Sequence, residues 1–445
     1  MEAPVLAPAE EMLRTPPMDV STVESSSWVS DAIHFAWDEV PFYRTLWEGA
    51  GWSSPPRLSD CPTWSVEDLK ADQGRHPPYG TLYADFGIAD VRWLVTSSGT
   101  TGVPRITAQC ASDLPLLRQT YKRFFEFAGL RSDDVVANTF TYGPLAGAWS
   151  STRACEEIGA TLLPASNGRT TPPERLVTLI ERIGLTTIIG MPSYLTHIAK
   201  IAEGMGVALQ ESSVRLLIIA GEGATSAARR ELSERWGAET RNFYASSDVD
   251  WVAIECEASA ATGGELGSHI FQDQCHVEIL DSTGRSLPAG ESGEVVITSW
   301  TRQSSPRIRY RTGDRSRIDD APCECGRLSP RVMPIAGRTD QAVRFHGVTV
   351  RPEEVEKVLS GRFGRDVQFR LRHQGAMERA DAKEALVIEV ECTADELTAW
   401  SGERIAEHLQ KSLGIKPMVA LLETGALISA EDALQGKKTQ QVVIG

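Results

Sequence analysis

Short apolar runs alternate with longer amphipathic stretches through the middle of the chain. Residues 134–140 (with Val135, Val136 and Ala137), 161–163, 186–190 (with Thr187, Ile188 and Ile189), 214–220 (with Leu216, Leu217, Ile218 and Ile219) and 240–243 are predicted as strands. Between and around them, 114–129, 148–159, 175–183, 193–205 and 227–236 carry apolar residues at helical spacing. This alternation predicts an α/β fold, a doubly wound and mostly parallel sheet. In such sheets ligands sit beyond the carboxyl ends of the strands. The loops at Gly143, Met191-Pro192-Ser193, Gly221-Glu222-Gly223 and Tyr244–Asp248 all fall there and predict one shared crevice.

The flanks carry other patterns. Residues 28–48 read as one helix, and Ser65 with Asp68 as a capping arrangement at a helix start. Val91–Val95 reads as a buried strand. From Ser268 the chain changes character. Residues 275–280 and 294–298, with turns at Gly284, Pro288 and Gly290, predict antiparallel β structure. After about Asp340 a small α+β unit is predicted: a hairpin (342–345 and 348–350), a helix from Pro352 to Leu359, strands at 367–372 and 385–391, a helix at 402–413 and a strand at 418–422. The expected organisation is a large domain, 1–340, with a β subdomain at about 265–336, and a small domain, 341–445.

Composition narrows the function. A chain of 445 residues is long enough for two or three domains. Its net charge of -15 argues against a nucleic-acid partner, which needs a basic footprint. No apolar stretch approaches the roughly 18 residues of a transmembrane helix, so no membrane partner is expected. The first 19 residues hold four acidic residues and several prolines, and read as a frayed arm, not a secretory signal. Eight scattered cysteines suit a reducing, cytoplasmic compartment.

The stretch Thr96-Ser97-Ser98-Gly99-Thr100-Thr101-Gly102-Val103-Pro104-Arg105 packs hydroxyls, two glycines and a fixed charge into one turn. Glycines allow close backbone approach, and hydroxyls with N–H groups make a nest for phosphate. It is not the common P-loop, since no Gly-Lys-Ser/Thr follows at the required spacing. An ordinary polar surface loop has the same composition. Four further stretches add to it. Tyr244–Asp248 puts a carboxylate at a strand end, either to hold Mg²⁺ or to cap a turn. Tyr310-Arg311-Thr312-Gly313-Asp314 offers a carboxylate for two ribose hydroxyls, or a hairpin turn. Gly337-Arg338-Thr339-Asp340 falls where a hinge belongs. Gly436-Lys437-Lys438-Thr439-Gln440 is either a solvated pair of lysines or a reach of positive charge.

In this order and spacing the stretches resemble the adenylate-forming superfamily of acyl-CoA synthetases, most closely its phenylacetate–CoA ligase branch. The resemblance runs nearly end to end and includes Pro41–Trp47, Ser97–Pro104, Met191–Tyr194, Gly221-Glu222, Gly293–Thr298, Arg309–Asp314 and Gly347–Pro352. It implies a large adenylation domain, a mobile C-terminal lid, and a two-step reaction. A carboxylic acid, aromatic and phenylacetate-like, attacks ATP to give an acyl-adenylate; coenzyme A then displaces AMP. A homodimer is a further family expectation, and the chain shows no carrier-protein segment.

The resemblance also implies roles. Ser97, Ser98, Gly99, Thr100, Thr101 and Gly102 would hold the phosphates of ATP, joined at the nucleotide by Gly221, Glu222, Tyr244 (against the adenine), Asp314 (on the ribose) and Arg338. Asp248 would hold Mg²⁺. Lys438, with Lys437 as the alternative, would meet the charge developing on phosphate. Asp340 would be the hinge. Tyr142, Gly143, Pro192, Ala220 and Ala245 would line the acid pocket, with Trp149 shortening it.

Several positions depart from the family pattern: Asp248 stands where Glu is usual, Ala245 for glycine, Gln341 for a second Asp, Val103 for Lys and Gln441 for Arg. They open a second reading, in which an amine or other nitrogen nucleophile replaces coenzyme A. A third is a non-catalytic binder of nucleotide or acyl-adenylate. Finally, Cys256, His269, Cys323 and Cys325 have the ligand types of a tetrahedral structural zinc site, although Cys-x-Cys is tighter than the common Cys-x-x-Cys. Four ordinary buried or surface residues are the alternative, but some members of the phenylacetate ligase branch look similar here and carry such a site, and that resemblance implies Zn²⁺.

Overall fold

A computed structural model describes residues 26–84, 89–96, 105–168, 170–246, 248–339, 343–345, 348–374, 385–413, 415–427 and 442–444. The chain divides into two compact units, one formed by residues up to 166 and 170–334, the other by 167–169 and 335–445.

The first unit opens with two helices, α1 (Ser27–Glu39) and α2 (Pro41–Gly49), where one helix is expected from the apolar spacing. Pro41 is the cause. It lacks an N–H and restricts the residue before it, so Val40 is extended and Pro41 starts a new helix at its first position. Helix α3 (Val66–Arg75) starts at the expected capping box of Ser65 and Asp68. Among the described residues strand β1 (Val91–Thr96) pairs only with β2 (Ile106–Cys110), antiparallel. In such a ribbon alternate side chains face solvent, and Leu94 is 46% exposed while Val95 is buried. The expectation of a fully buried strand is thereby corrected.

The βα alternation follows: α4 (Leu114–Phe127), β3 (Val135–Asn138), α5 (Ala146–Ile158), β4 (Thr161–Leu163), α6 (Pro173–Ile183), β5 (Thr187–Gly190), α7 (Pro192–Gly204), β6 (Leu216–Ile219), α8 (Ser226–Trp236) and β7 (Glu239–Ser246). Helices α5, α6 and α8 end on the left-handed glycines Gly159, Gly184 and Gly237, a conformation that costs glycine no Cβ clash. Beyond β7 come β8 (Asp250–Ile254), the short α9 (Glu257–Ala261), β9 (Ser268–Ile270), β10 (Cys275–Leu280), β11 (Gly293–Ser299), β12 (Arg307–Ser316), β13 (Ile318–Asp319) and β14 (Arg331–Val332).

The main sheet has nine strands in the order β13-β14-β9-β8-β7-β6-β5-β3-β4. Pairing is parallel from β4 to β7 and antiparallel from β7 to β13, so the direction switches at β7. Strands β5 and β6 are buried throughout, as parallel strands covered on both faces must be. One apolar core joins Phe124, Phe243, Trp251 and Phe271, with Phe124 stacked on Phe271 at 4.1 Å. A second joins α1 and α2 to the β10–β12 sheet through Tyr43, Trp47, Trp64 and Tyr310. Burying such aromatics stabilises by a few kcal/mol each.

In the second unit Val343–Phe345 and Val348–Val350 form a hairpin. A helix, Pro352–Phe363, follows. Its sheet has Phe369–Gln374 and Ala385–Cys392 antiparallel at the centre, with Met418–Glu423 and Val442–Ile444 added in parallel. Helix Gly402–Leu413 contributes Ile405 and Leu409 to its core.

Candidate active site

The carboxyl ends of β3, β5, β6 and β7 carry the residues expected to form the crevice. After β3, Tyr142 lies with its hydroxyl 2.8 Å from Thr152 Oγ1 and accepts from Asn138 Nδ2 at 3.2 Å. Gly143 accepts a hydrogen bond from Trp149 Nε1 at 2.7 Å. The indole of Trp149 stands perpendicular to Tyr142 and 5.0 Å from Trp93. Three half-buried aromatic rings therefore meet beside the loop that follows β3. That loop is tied to β1, because Thr96 N donates to Pro144 O at 2.5 Å.

After β5, Pro192 opens helix α7 and is buried. The next N–H, of Ser193, donates to Glu222 Oε1 at 2.6 Å. A carboxylate at a helix N-terminus meets orphan N–H groups and the positive end of the helix dipole. Glu222 thus bridges the loops after β5 and β6. Between them Gly221 takes φ +91° and lies close to Met191 and Phe140. Ala220 N donates to Gly190 O at 3.3 Å.

At the end of β7 the geometry is tighter. The hydroxyl of Tyr244 donates to Asp314 Oδ2 at 2.8 Å. Asp314 reaches this place because β12 bulges: Glu294 and Val296 of β11, two apart, pair with Arg315 and Arg311, four apart. The bulge contains Thr312, Gly313 (φ +78°) and Asp314, and Thr312 Oγ1 ties it to Val295 O at 2.9 Å. Ala245 lies opposite Trp251 on β8.

Asp248 is buried. Its Oδ1 lies 2.5 Å from Arg105 Nη1 and its Oδ2 accepts from Tyr310 OH at 3.0 Å. Its carbonyl accepts from Arg307 Nε at 2.8 Å. Burial pushes the Tyr310 phenol well up, and the neighbouring Asp248 charge pushes it further, so the hydroxyl keeps its proton and donates it. Burial works against the charge on Arg105, but Asp248 more than offsets it and holds the guanidinium charged. Tyr310 and Arg105 were named at the sequence level only as part of their stretches. The strand alternation that puts Tyr310 two residues from Thr312 was the available signal for its facing the site; nothing local pairs Arg105 with a carboxylate 143 residues away.

The four expected metal ligands converge. The ligand atoms of Cys256, His269, Cys323 and Cys325 all lie within 4.8 Å of one another. Cys256 Sγ is 3.8 Å from Cys323 Sγ, and Cys325 Sγ 3.3 Å from His269 Nε2. On its other side His269 Nδ1 lies 2.8 Å from Ser329 Oγ, the outer contact that orients a metal-binding imidazole. Burial pushes the His269 imidazole down to about 4 and the Cys256 thiol up to about 12.

Arg338 belongs to the second unit, beside Gly337, whose backbone packs on the carboxylate of Glu353. The expectations on Ser97, Ser98, Gly99, Thr100, Thr101, Gly102, Asp340, Lys437 and Lys438 lie outside the described residues. Among the described residues no helix is long and apolar enough to cross a membrane.

The carboxyl ends of the strands are where open α/β sheets bind their ligands. The AMP-binding enzyme family matches residues 58–301, and the chain belongs to it. Within that class it is similar to the phenylacetate-coenzyme A ligase of Thermus thermophilus, with 32% identity over 415 residues, 88% of this chain and 90% of the relative. Similarity to the phenylacetate-coenzyme A ligase of Escherichia coli is 27% over 412 residues, 89% of each chain. In fold it is similar to 2-hydroxyisobutyryl-CoA ligase in its postadenylation state with 2-HIB-AMP: TM-score 0.81, 22% identity, 99% of this chain and 94% of that one. The adenylate-forming fold and the phenylacetate-ligase branch expected from the sequence are the ones found.

Proposed function

We propose that this chain is an AMP-forming acid–thiol ligase for a small aromatic acid of the phenylacetate type. In the first step an oxygen of the acid's carboxylate attacks the α-phosphorus of ATP. The bond to the β-phosphate breaks, pyrophosphate leaves, and an acyl-adenylate remains. In the second step the sulfur of coenzyme A attacks the acyl carbon, the thiol proton is lost, and AMP leaves. The observation that carries this reading is the similarity to phenylacetate-coenzyme A ligases along nearly the whole chain, and the polar groups gathered at the ends of β3, β5, β6 and β7 support it.

In this reading Asp314 takes the ribose hydroxyls, oriented by Tyr244, whose ring flanks the adenine. Gly221 lets the backbone approach the nucleotide, and Glu222 fixes the loops on either side of it. Tyr142, Gly143, Pro192, Ala220 and Ala245 border the acid, and Trp149 closes the slot beside Tyr142. Pockets of this kind are mostly apolar with a few placed polar groups. The 97–102 loop holds the phosphates, Lys438 or Lys437 supplies the mobile positive charge, and Arg338 joins the nucleotide-binding set. Residues 341–445, with Asp340 as their hinge, form the lid.

Magnesium belongs to this reading as the counter-ion of the triphosphate. Asp248, the residue expected to hold it, has one oxygen on Arg105 and the other on Tyr310. As arranged it does not fit a metal, and no step is assigned to a protein-bound cation. Zinc does fit Cys256, His269, Cys323 and Cys325, three thiols and an imidazole already oriented by Ser329. Bound there it would pin β9 to the 323–325 turn and take no part in the chemistry.

The test is a panel of aromatic and aliphatic acids with ATP and Mg²⁺, following pyrophosphate and AMP with and without coenzyme A. Acid-dependent pyrophosphate release with AMP turnover stimulated by coenzyme A is expected. Pyrophosphate release indifferent to coenzyme A, with product formed from an added amine, would replace the thiol acceptor by nitrogen. Failure of every acid while ATP still binds would leave a nucleotide binder. A soluble cytoplasmic homodimer completes the proposal, and sedimentation of the purified chain tests the dimer.

A further inference from the structure

The carboxylate at the end of β7 has a different occupation from the one expected of it. Asp248 is 5% exposed, and every polar group it owns is engaged. Arg105 Nη1 stands on Oδ1 at 2.5 Å, and Tyr310 OH donates to Oδ2 at 3.0 Å. Arg307 Nε donates to its carbonyl at 2.8 Å, and its own N–H points to Ser246 Oγ at 3.3 Å.

These partners are themselves fixed. The Tyr310 ring lies 4.7 Å from that of Trp64 and is 3% exposed. Trp64 is held to β12 by its ring N–H, which donates to Ile308 O at 2.8 Å, and by Arg311 N, which donates to Trp64 O at 2.8 Å. Arg307 Nη1 donates to Ser305 O at 2.5 Å. The carboxylate is therefore held by buried, hydrogen-bonded partners and faces Arg105.

A magnesium ion needs an oxygen at about 2.0–2.1 Å in near-octahedral geometry. At Oδ1 it would share that oxygen with a guanidinium, a like charge at close range in a site with little water. At Oδ2 it would have to displace the tyrosine hydroxyl. An aspartate has one methylene fewer than glutamate, and here the short arm spends its whole reach on Arg105 and Tyr310. Meanwhile Arg105 is the residue directly after Pro104, at the exit of the 97–102 glycine loop. A planar guanidinium is the side chain whose geometry matches phosphate.

We infer that Asp248 is a positioning residue for Arg105, that the Arg105 guanidinium recognises the triphosphate of ATP, and that Asp248 is not a ligand of the divalent cation that accompanies the nucleotide. The cation is then carried by the phosphates and water. This rests on the proposed function, because it needs ATP to bind at the ends of these strands.

The test compares Asp248→Asn, Arg105→Gln, their combination and Tyr310→Phe in the full chain. ATP binding is measured by titration calorimetry with Mg²⁺ and again with chelator. The cation is followed separately, by electron paramagnetic resonance of Mn²⁺ added to the ATP complex. Asp248→Asn and Arg105→Gln should each weaken ATP binding by about tenfold, the scale of one charge-assisted contact. The double variant should lose no more than the worse single one, because both remove one unit. Mn²⁺ half-saturation of the ATP complex should stay within about twofold of wild type in all of them, since no ligand to the cation is removed. Tyr310→Phe, which takes one hydroxyl from the same carboxylate, should weaken ATP binding in the same direction, and it carries the test if Asp248→Asn does not fold. A large rise in the Mn²⁺ requirement in Asp248→Asn, absent from Arg105→Gln, overturns the inference and leaves the ligase reading standing. Additive losses in the double variant also overturn it. A wild-type chain that binds no ATP overturns the ligase reading and the inference together.

Discussion

Tyr244 and Asp314 are 70 residues apart in the chain and joined by a hydrogen bond of 2.8 Å. One closes a strand of the main sheet, and the other sits on a bulge of the separate sheet that contains β10–β12. The bond fixes the rotation of the Asp314 carboxylate, which in the proposed reaction must present its oxygens to two adjacent hydroxyls.

Replacing Tyr244 by Phe keeps the ring and removes the bond. Hydrogen bonds to charged groups contribute about 1.5–3 kcal/mol, so the KM for ATP should rise by roughly tenfold or more. The turnover number should change little, since the contact is present before and after reaction. Steady-state kinetics at saturating acid checks this; an unchanged KM removes Tyr244 from the nucleotide site.

The four-residue cluster should hold one zinc ion per chain, read by metal analysis of protein purified without added metal. Cys323→Ser should lower the melting temperature and release the metal, while leaving the KM for acid and ATP near wild type. Absence of zinc, or a Cys323→Ser variant as stable as the parent, defeats the assignment.

Acid should act on the same cluster in a fixed direction. Burial holds His269 down to about 4 in the folded chain, against about 6.5 for a free imidazole. Between these values the unfolded chain binds the proton and the folded chain does not, so stability is full above about 6.5 and is lost as pH falls toward 4. Metal binding adds to this slope, because its thiolates compete with protons. Thermal melts from pH 8 to pH 5 should therefore fall with pH, and His269→Gln should flatten the metal-free curve.

Lys437 and Lys438 should separate cleanly. Lys438→Ala should abolish acid-dependent pyrophosphate release, by about a hundredfold or more as expected for a charge acting on the transition state, whereas Lys437→Ala should retain most of it. Loss in neither variant removes both from the chemistry.

A buried pair away from these groups gives a stability prediction. Asp250 holds Arg302 at 2.5 Å, accepts from Tyr121 OH at 3.2 Å, and takes φ +64°. Asparagine tolerates that left-handed conformation, so Asp250→Asn removes the charge without straining the backbone. It leaves a buried guanidinium uncompensated and should cost about 3–5 kcal/mol, read from denaturant unfolding of the first unit.

The sequence made the parallel half of the fold legible because its strands are short, wholly apolar and separated by periodic helices, as at Thr187–Gly190 and Leu216–Ile219. It misled where a single residue overrode a pattern. Pro41 splits a stretch whose apolar spacing is continuous. Val91–Val95 has the composition of a core strand, but among the described residues it pairs only with β2, and its alternate side chains such as Leu94 stay wet. At the site, Asp314 and Tyr244 were legible as separate stretches. Their contact was not, because the bulge that turns Asp314 depends on its register with β11. The Arg105–Asp248 pair was hidden for the same reason, as a contact made only by the closed tertiary structure.

The change of direction at β7 also sets an order of events during synthesis. Strands β3 to β7 pair in parallel within residues 135–246, while the core beside them is completed by the later Trp251 and Phe271. The strands that cover the other edge of β7, and the one that carries Tyr310 and Asp314, follow it in the chain. At a ribosomal rate of about 5–20 residues per second, the 70 residues from Tyr244 to Asp314 take on the order of ten seconds to appear. Through that interval the half-built sheet holds an exposed strand edge without the Asp314 carboxylate beside it. ATP, a ligand that stabilises only what it binds, can therefore steady the finished enzyme but gives the nascent first half no help.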